Sequence, residues 1–202
     1  MLAVGARATV ELVVVLRTTG LTLLVGFAIG LSISLVSPAE ASAAPSYTIV
    51  TRDYYVARIG PFRPSSNPQL SAAIRAFGRP SARDLRRGTC RVTWRRLRLR
   101  IDFENFGGTR PGQTTCTPSV GRAQSFVTSR SGFRSSRGLR VGQPSSSIRL
   151  KHPRAERRDG AWAIVLARFP FGASDELSPV VSALVRGGRV SALVGYIGGA
   201  GE

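Results

Sequence analysis

The chain has 202 residues and a formal net charge of +18, with 29 basic residues against 11 acidic ones. This length is enough for one domain with a real hydrophobic core. The positive charge favours encounters with anionic polymers and surfaces. Lys151 is the only lysine, and Arg, Gly, Ala and Pro are used heavily, as a GC-rich genome would enforce. Codon usage is therefore an alternative to function as the source of part of the basicity.

Residues 1–43 predict a secretory signal peptide. Basic residues precede an uncharged apolar run, Leu21–Val36, which is followed by helix-breaking Ser37-Pro38 and the small residues Ala41-Ser42-Ala43. That order is typical of a leader that is cleaved after an A-x-A site. An uncleaved membrane anchor is the alternative, but the run is short for a span of about 20 residues. We therefore expect a single secreted domain, residues 44–202, in the envelope or outside the cell, with no stable membrane insertion after cleavage.

Cys90 and Cys116 are the only two cysteines. An even count in an exported chain predicts a disulfide, which would stabilise the fold by about 3–4 kcal/mol on chain-entropy grounds. The alternative is a pair of buried free thiols. A metal site is less favoured, because two thiols and one distant His fall short of the usual four zinc ligands. We predict neither a metal nor a cofactor.

The first half begins with a predicted strand or strand-like arm over Ser46–Ala57, which is rich in β-branched and aromatic residues. A turn-rich segment then leads to a helix that begins near Pro68, with Ser66 or Asn67 as its cap. Gly78 and Pro80 end this helix. Its apolar face consists of Leu70, Ala73, Ile74 and Phe77.

The stretch Cys90–Phe103 predicts an antiparallel hairpin, and the rest of the first half is organised around it. Apolar residues alternate along the stretch and change parity once, near Arg95 and Arg96, which indicates a tight turn or a bulge. Both apolar sets then share a core face, and the opposite face is cationic. The predicted binding surface consists of Arg91, Arg98 and Arg100 on that face, flanked by Arg95 and Arg96.

Beyond the hairpin, the sequence predicts a polar loop (Thr109–Pro118), a strand (Gly121–Ser129) and a linker (Arg130–Arg137). A short helix with Ile148 and Leu150 comes next, followed by a strand on which Trp162, Ile164 and Leu166 alternate. The last predicted element is a hairpin, Val180–Tyr196, around Gly187-Gly188, a dipeptide that suits a primed turn.

The two halves follow one plan: turn, short helix, Trp strand, loop, Gly-Arg strand. Gly121–Ser129 corresponds to Gly188–Tyr196, and Trp94 to Trp162, both tryptophans being assigned to the core. We therefore predict an α+β fold of two tandem structural repeats, about 58–130 and 138–198, with short helices packed on one face of antiparallel sheet. The alternative is a coincidence of common strand patterns in a biased composition.

This plan, with a G-x-x-x-x-(S) turn before a helix and the C-x-x-x-W strand Cys90–Trp94, resembles the β-lactamase-inhibitor-protein-like and SmpA/OmlA-like superfamily of small exported proteins. The resemblance covers Gly60 to Tyr196 and implies binding or scaffolding rather than catalysis. It transfers no contact residue to this chain. The chain also departs from the lipoprotein members, because it has no cysteine before Cys90 that could be acylated.

Catalytic chemistry finds little support. His152 is the only histidine, and we assign it to the surface, since no G-x-S-x-G motif supplies a partner nucleophile. Asp102 and Glu104 share one face of a strand, but ion pairing with Arg98 or Arg100 explains them without a catalytic dyad. Asp175-Glu176 falls in a predicted loop. The glycine pairs at 107–108, 187–188 and 198–199 lack the helix and lysine of a phosphate loop.

The expected function is therefore non-enzymatic binding, through the arginine face, to an anionic wall polymer or an acidic secreted protein. The alternative is an inhibitor or modulator of a secreted enzyme that uses loops such as Thr109–Pro118. Export disfavours a specific nucleic-acid partner, although non-specific binding to DNA is expected from the charge.

The leader prediction is tested by N-terminal sequencing of the exported protein. We expect the mature chain to begin at Ala44, because Ala41-Ser42-Ala43 forms the cleavage site. A chain that keeps residues 1–43 and stays in the membrane fraction would instead support the anchor.

Overall fold

The computed structural model describes residues 46–105, 107–108, 110–168 and 177–198. All of these lie within one structural unit, Ser42–Glu202. None of the helices in these ranges is long and apolar enough to cross a membrane. Several sequence predictions concern residues outside the described ranges, namely the leader 1–43 with its cleavage at Ala44, Thr109, the pair Asp175-Glu176 and Gly199.

Strands dominate the described chain. The strands are β1 (Tyr47–Arg52), β2 (Tyr55–Ile59), β3 (Ala82–Arg86), β4 (Thr89–Trp94), β5 (Leu99–Glu104), β6 (Arg122–Thr128), β7 (Phe133–Ser135), β8 (Glu156–Arg158), β9 (Ala161–Arg168), β10 (Leu177–Arg186) and β11 (Arg189–Tyr196). The helices are α1 (Leu70–Phe77) and α2 (Ser146–Lys151), and a 3-10 turn spans Arg95–Leu97. The predicted α+β class with antiparallel sheet is confirmed.

An eight-stranded antiparallel sheet forms the centre of the fold, in the order β3-β4-β5-β6-β11-β10-β9-β8. Each run of four sequential strands follows one helix, and the two runs meet where β6 pairs with β11. The predicted tandem repeat, with superposition of the two halves, stays a prediction. The predicted match of the tryptophans is wrong in position: Trp94 ends β4, whereas Trp162 is the second residue of β9.

The predicted central hairpin is formed by β4 and β5. Its ladder pairs Cys90 with Phe103, Val92 with Ile101 and Trp94 with Leu99, and all six side chains are buried. The change of parity falls in the connection 95–98, where a 3-10 turn is closed by Arg98 in the left-handed conformation, with φ of 45°. Leu97 and Arg98, which the alternating pattern assigned to strand β5, therefore lie in the turn.

A second sheet, with three strands in the order β2-β1-β7, was not foreseen. The predicted arm Ser46–Ala57 is split into β1 and β2 by a turn at Asp53, whose φ is 50°. The predicted linker Arg130–Arg137 contains β7, which pairs with β1 in parallel and buries Phe133. Aromatic contact between Tyr47 and Phe133, with ring centroids 4.8 Å apart, joins the two strands. The sequence did not predict β7 because the strand is short and its one large buried side chain is flanked by serines and arginines.

Helix α1 confirms the predicted helix, with a start two residues later than Pro68. Its N-cap is Gln69, whose backbone N–H donates to the side-chain oxygen of Asn67, and Gly78 ends it at φ of 79°. Leu70 and Ala73 are buried against the sheet. The predicted short helix with Ile148 and Leu150 is α2, in which Ile148 is buried and Leu150 is 81% exposed.

The predicted disulfide between Cys90 and Cys116 is confirmed, with Cα atoms 5.1 Å apart. It ties the loop after β5 to the core strand β4. The Thr115 hydroxyl adds a second anchor by donating a hydrogen bond of 2.7 Å to the Gly88 carbonyl. The loop that carries Cys116 is therefore held to the β3–β4 turn at two adjacent residues.

Both sheets and both helices contribute to one hydrophobic core. Where β6 and β11 pair, Gly195 lies opposite Phe126, whose ring covers it. A methyl group on Gly195 would overlap that ring, which is 1% exposed and cannot move into solvent. A strand glycine therefore makes room for the largest buried side chain at the junction of the two halves.

We expect Gly195→Ala to lower the free energy of unfolding by about 1–3 kcal/mol, because overpacking a filled core displaces side chains or backbone. Urea denaturation measures this loss. Gly107→Ala is the matched control, since a methyl there would meet only the Asn105 side chain at 3.9 Å. Adding Phe126→Leu to Gly195→Ala should recover part of the loss. Equal stability of the two glycine variants would contradict the packing account.

Candidate functional site

The predicted binding surface divides into two parts in the structure. Arg91 and Arg100 lie on the outer face of the eight-stranded sheet, as predicted, where both flank Asp102. Arg91 Nε donates a 3.2 Å hydrogen bond to Asp102 Oδ1, and Arg100 Nε lies 3.7 Å from the same oxygen. The Asp102 side chain is only 17% exposed. These two arginines therefore share one carboxylate, which offsets part of their charge.

Arg95, Arg96 and Arg98 lie in the β4–β5 turn, all three exposed. The prediction that Arg98 shares a strand face with Arg91 and Arg100 is wrong, because the 3-10 turn takes up the residues that would have extended β5. Arg130, which follows β6, lies beside this turn and donates a 3.0 Å hydrogen bond from Nη1 to the Arg96 carbonyl. We call Arg95, Arg96, Arg98 and Arg130 the arginine cluster.

Backbone hydrogen bonds hold the arginine cluster in place. The Arg98 carbonyl accepts from the Ser129 N–H at 3.1 Å, and the Arg95 N–H donates to the Ser81 hydroxyl at 3.0 Å. The turn is thus tied to the segments before β3 and after β6. Trp94, buried at the base of the turn, donates from Nε1 to the Gly78 carbonyl at 2.8 Å, which fixes it to the end of α1.

The charge of the arginine cluster is not neutralised locally. Ion pairs within the described ranges involve Arg86, Arg91, Arg100 and Arg158, and none of them includes a member of the cluster. A guanidinium that is exposed and has no carboxylate partner keeps its donors available for a carboxylate or phosphate ligand. The cluster is therefore better suited to bind an anion than the sheet face is.

The carboxylates and aromatic residues considered from the sequence have structural partners. Asp102 pairs with Arg91 and Arg100, not with Arg98, and Glu104 Oε1 lies 3.5 Å from the Thr89 hydroxyl. Trp94 packs in the core, as predicted, whereas Trp162 is half-buried beneath the Arg149 guanidinium, 5.3 Å from the ring centroid. In the described ranges, no three His, Cys, Asp or Glu side chains are grouped so that they could hold a metal ion.

The assignment of His152 to the surface is wrong: the residue is buried, with 4% of its area exposed. Its Nε2 lies 2.8 Å from the Ser135 hydroxyl, and that hydroxyl oxygen accepts a 3.0 Å hydrogen bond from the Leu139 N–H. The ring therefore joins β7 to the end of α2. His152 lies between a lysine and a proline, outside any periodic pattern, so the sequence does not predict its burial.

His152 and Ser135 form a buried side-chain pair. The pair has the atoms of a nucleophile and its base. However, Ser135 is 3% exposed, so a substrate has no approach to its oxygen in this conformation.

The pKa of His152 lies below its ordinary value of 6.5. Burial is the main cause, because removing the ring from water disfavours its charged form. The nearby charge of Arg137 lowers the pKa further, and Lys151 adds to this, while the bond to Ile164 acts in the opposite direction. At neutral pH the buried ring is thus uncharged, which suits its hydrogen bond to Ser135.

No protein-family model and no curated protein matches the chain. Among solved structures, the chain is similar to the uncharacterized protein YfeY from Escherichia coli, at 12% sequence identity and a TM-score of 0.33. That match covers 75% of this chain and 99% of YfeY. A TM-score this low supports no conclusion about fold or function.

We expect the protein to lose stability as the pH falls below about 6.5, where the unfolded chain protonates His152 but the folded chain does not. The loss continues until the pH reaches the lowered pKa of the folded state. A single group of this kind contributes at most about 1.4 kcal/mol per pH unit. Denaturation midpoints of the wild type between neutral pH and about pH 5 measure it.

His152→Gln is the control for this measurement, because glutamine can bond to Ser135 without titrating in this range. The difference in stability between wild type and variant should shrink as the pH falls. Parallel pH profiles of the two proteins would show that His152 does not set this dependence.

Proposed function

We propose that this is an exported, non-enzymatic binding protein whose arginine cluster contacts an anionic polymer of the cell wall or an acidic secreted protein. The observation that carries the proposal is the grouping of Arg95, Arg96, Arg98 and Arg130 around one turn, without a carboxylate partner among the described residues. The net charge of +18 adds long-range attraction to the same class of partner.

The rigidity of the turn supports binding. Binding to a turn whose backbone is already ordered costs less conformational entropy than binding that must first order a flexible loop of the protein. The hydrogen bonds from Ser129 and to Ser81 hold the turn backbone, so only the arginine side chains need to be ordered. Arginine also matches carboxylate and phosphate groups with two parallel hydrogen bonds, which lysine cannot do.

Export is supported by two independent features. The disulfide suits an oxidising compartment, and residues 1–43 have the order of a cleaved leader. Nucleic acid is therefore a less suitable natural partner than a wall polymer, although both present repeated phosphates.

A second candidate function, inhibition or modulation of a secreted enzyme, is favoured by the loop that carries Cys116. Its anchoring to β4 and Gly88 presents an exposed backbone in a fixed conformation, which reduces the entropic cost of insertion into a cleft. Affinity capture from a secretome would recover an enzyme in that case. Binding to purified wall polymer in the absence of other proteins would favour the first candidate.

The proposal is tested with the variant Arg95→Gln/Arg96→Gln/Arg98→Asn and poly(glycerol phosphate) as the probe. Asn is used at position 98 because it tolerates the left-handed backbone. Exposed charge contacts contribute about 0.2–1 kcal/mol each. Three such contacts amount to about 0.6–3 kcal/mol, so we expect the Kd from calorimetry to rise about threefold to about a hundredfold, with the free energy of unfolding nearly unchanged. Binding should also weaken steeply between about 50 mM and about 300 mM salt.

The matched control is Arg58→Gln/Arg63→Gln/Arg75→Gln, which removes the same charge from exposed positions on β2, the following turn and α1. This control should bind nearly as well as the wild type. If both triple variants weaken binding equally, net charge rather than the arginine cluster holds the polymer, and the proposed site is wrong.

A further inference from the structure

A cavity of about 1170 Å³ lies in the second half of the fold, away from the arginine cluster in sequence and in strand order. It is bounded by α2 and the residues after it, by the turn that follows β7, by β9 and the start of β10, and by Thr51 of β1. Several of its lining residues are exposed, so the cavity opens to solvent. Its volume is slightly above the usual range of ligand sites, roughly 300–1,000 Å³.

The polar part of the lining is cationic. Arg137, Arg149 and Arg154 come from α2 and the turns beside it, and none of them forms an ion pair within the described ranges. The carboxylate in the lining, Glu156, is already occupied, since Arg158 Nη2 lies 2.9 Å from its Oε2. The three arginines therefore leave an excess of positive charge at the cavity.

Arg149 is positioned by an aromatic ring. Its guanidinium lies over Trp162, 5.3 Å from the ring centroid, which restricts the rotamers of a long exposed side chain. The guanidinium edge keeps its hydrogen-bond donors while its face is covered. Because contact with the ring already restricts the Arg149 side chain, binding a carboxylate or phosphate oxygen in the cavity would cost less side-chain entropy.

The other part of the lining is apolar. Ile164, Val165 and Leu166 come from β9, and Leu177 begins β10 with 40% of its area exposed. Leu177 is thus an apolar side chain at the cavity that the described chain leaves partly uncovered. Cationic and apolar groups thus come from different elements around one cavity, a combination that complements a molecule with an anionic head and an apolar tail.

We propose that this cavity binds a single-chain anionic amphiphile, with its carboxylate or phosphate head against Arg149 and Arg154 and its alkyl chain along β9 and Leu177. Free inorganic phosphate would satisfy only the cationic part, and an uncharged detergent only the apolar part. The site is separate from the arginine cluster and does not depend on the function proposed for it.

Isothermal calorimetry of the mature protein with monomeric decyl phosphate tests the proposal. We expect one molecule bound per chain. Inorganic phosphate and the uncharged decyl maltoside should each bind at least about tenfold more weakly, because each lacks one of the two complementary parts. Shortening the alkyl chain should weaken binding by up to about fourfold for each CH₂ removed.

The variant Arg149→Gln/Arg154→Gln should weaken decyl phosphate binding about tenfold or more. The equally charged control Arg58→Gln/Arg63→Gln, and the arginine-cluster triple variant, should stay within about twofold of the wild type. Leu177→Ser should weaken decyl phosphate without changing the binding of inorganic phosphate. Binding of several molecules per chain, binding insensitive to Arg149 and Arg154, or equal affinity for inorganic phosphate would overturn the proposal.

Discussion

The pairing of β6 with β11 is the contact on which the rest of the fold depends. Four residue pairs, from Leu193–Thr128 to Tyr196–Ser125, join two antiparallel runs of four strands into one sheet. Each run alone would expose an edge and half of an apolar face. Phe126 pairs with Gly195 across the β6–β11 ladder, and its ring packs over that glycine. The same two residues therefore contribute both to the strand pairing and to the core packing at the junction.

From this junction the two halves diverge in chemistry. In the first half, the β4–β5 turn carries exposed arginines, whereas Arg91 and Arg100 on the sheet face pair with Asp102. On the other side, α2 is short and buries only Ile148, which leaves space between the helix, β9 and β10. The buried pair of Ser135 and His152 spans part of that space, joining the small sheet to the end of α2. The two halves thus present two surfaces of different character.

The sequence was informative where a local pattern or a residue count is enough to determine the structure. The alternation in Cys90–Phe103, the glycine pair at 187–188 and the cysteine count predicted the two hairpins and the disulfide. The sequence was uninformative where contacts between distant parts of the chain determine the local structure. The short strands β3, β7 and β8 carry mostly polar residues and form because a neighbouring strand offers a free edge. Arg98 and His152 were misplaced for a related reason, since a turn geometry and a packing environment, not a pattern, determine their positions.

The strands at the two ends of the eight-stranded sheet are short and heavily charged. β3 places Arg83, Asp84 and Arg86 at one end, and β8 consists of Glu156, Arg157 and Arg158 at the other. An open sheet otherwise invites another chain to add a strand, and charged side chains are the usual defence against such addition. The composition that supplies binding groups elsewhere therefore also protects the molecule from aggregating edge to edge. Replacing these arginines to reduce the net charge would remove that protection.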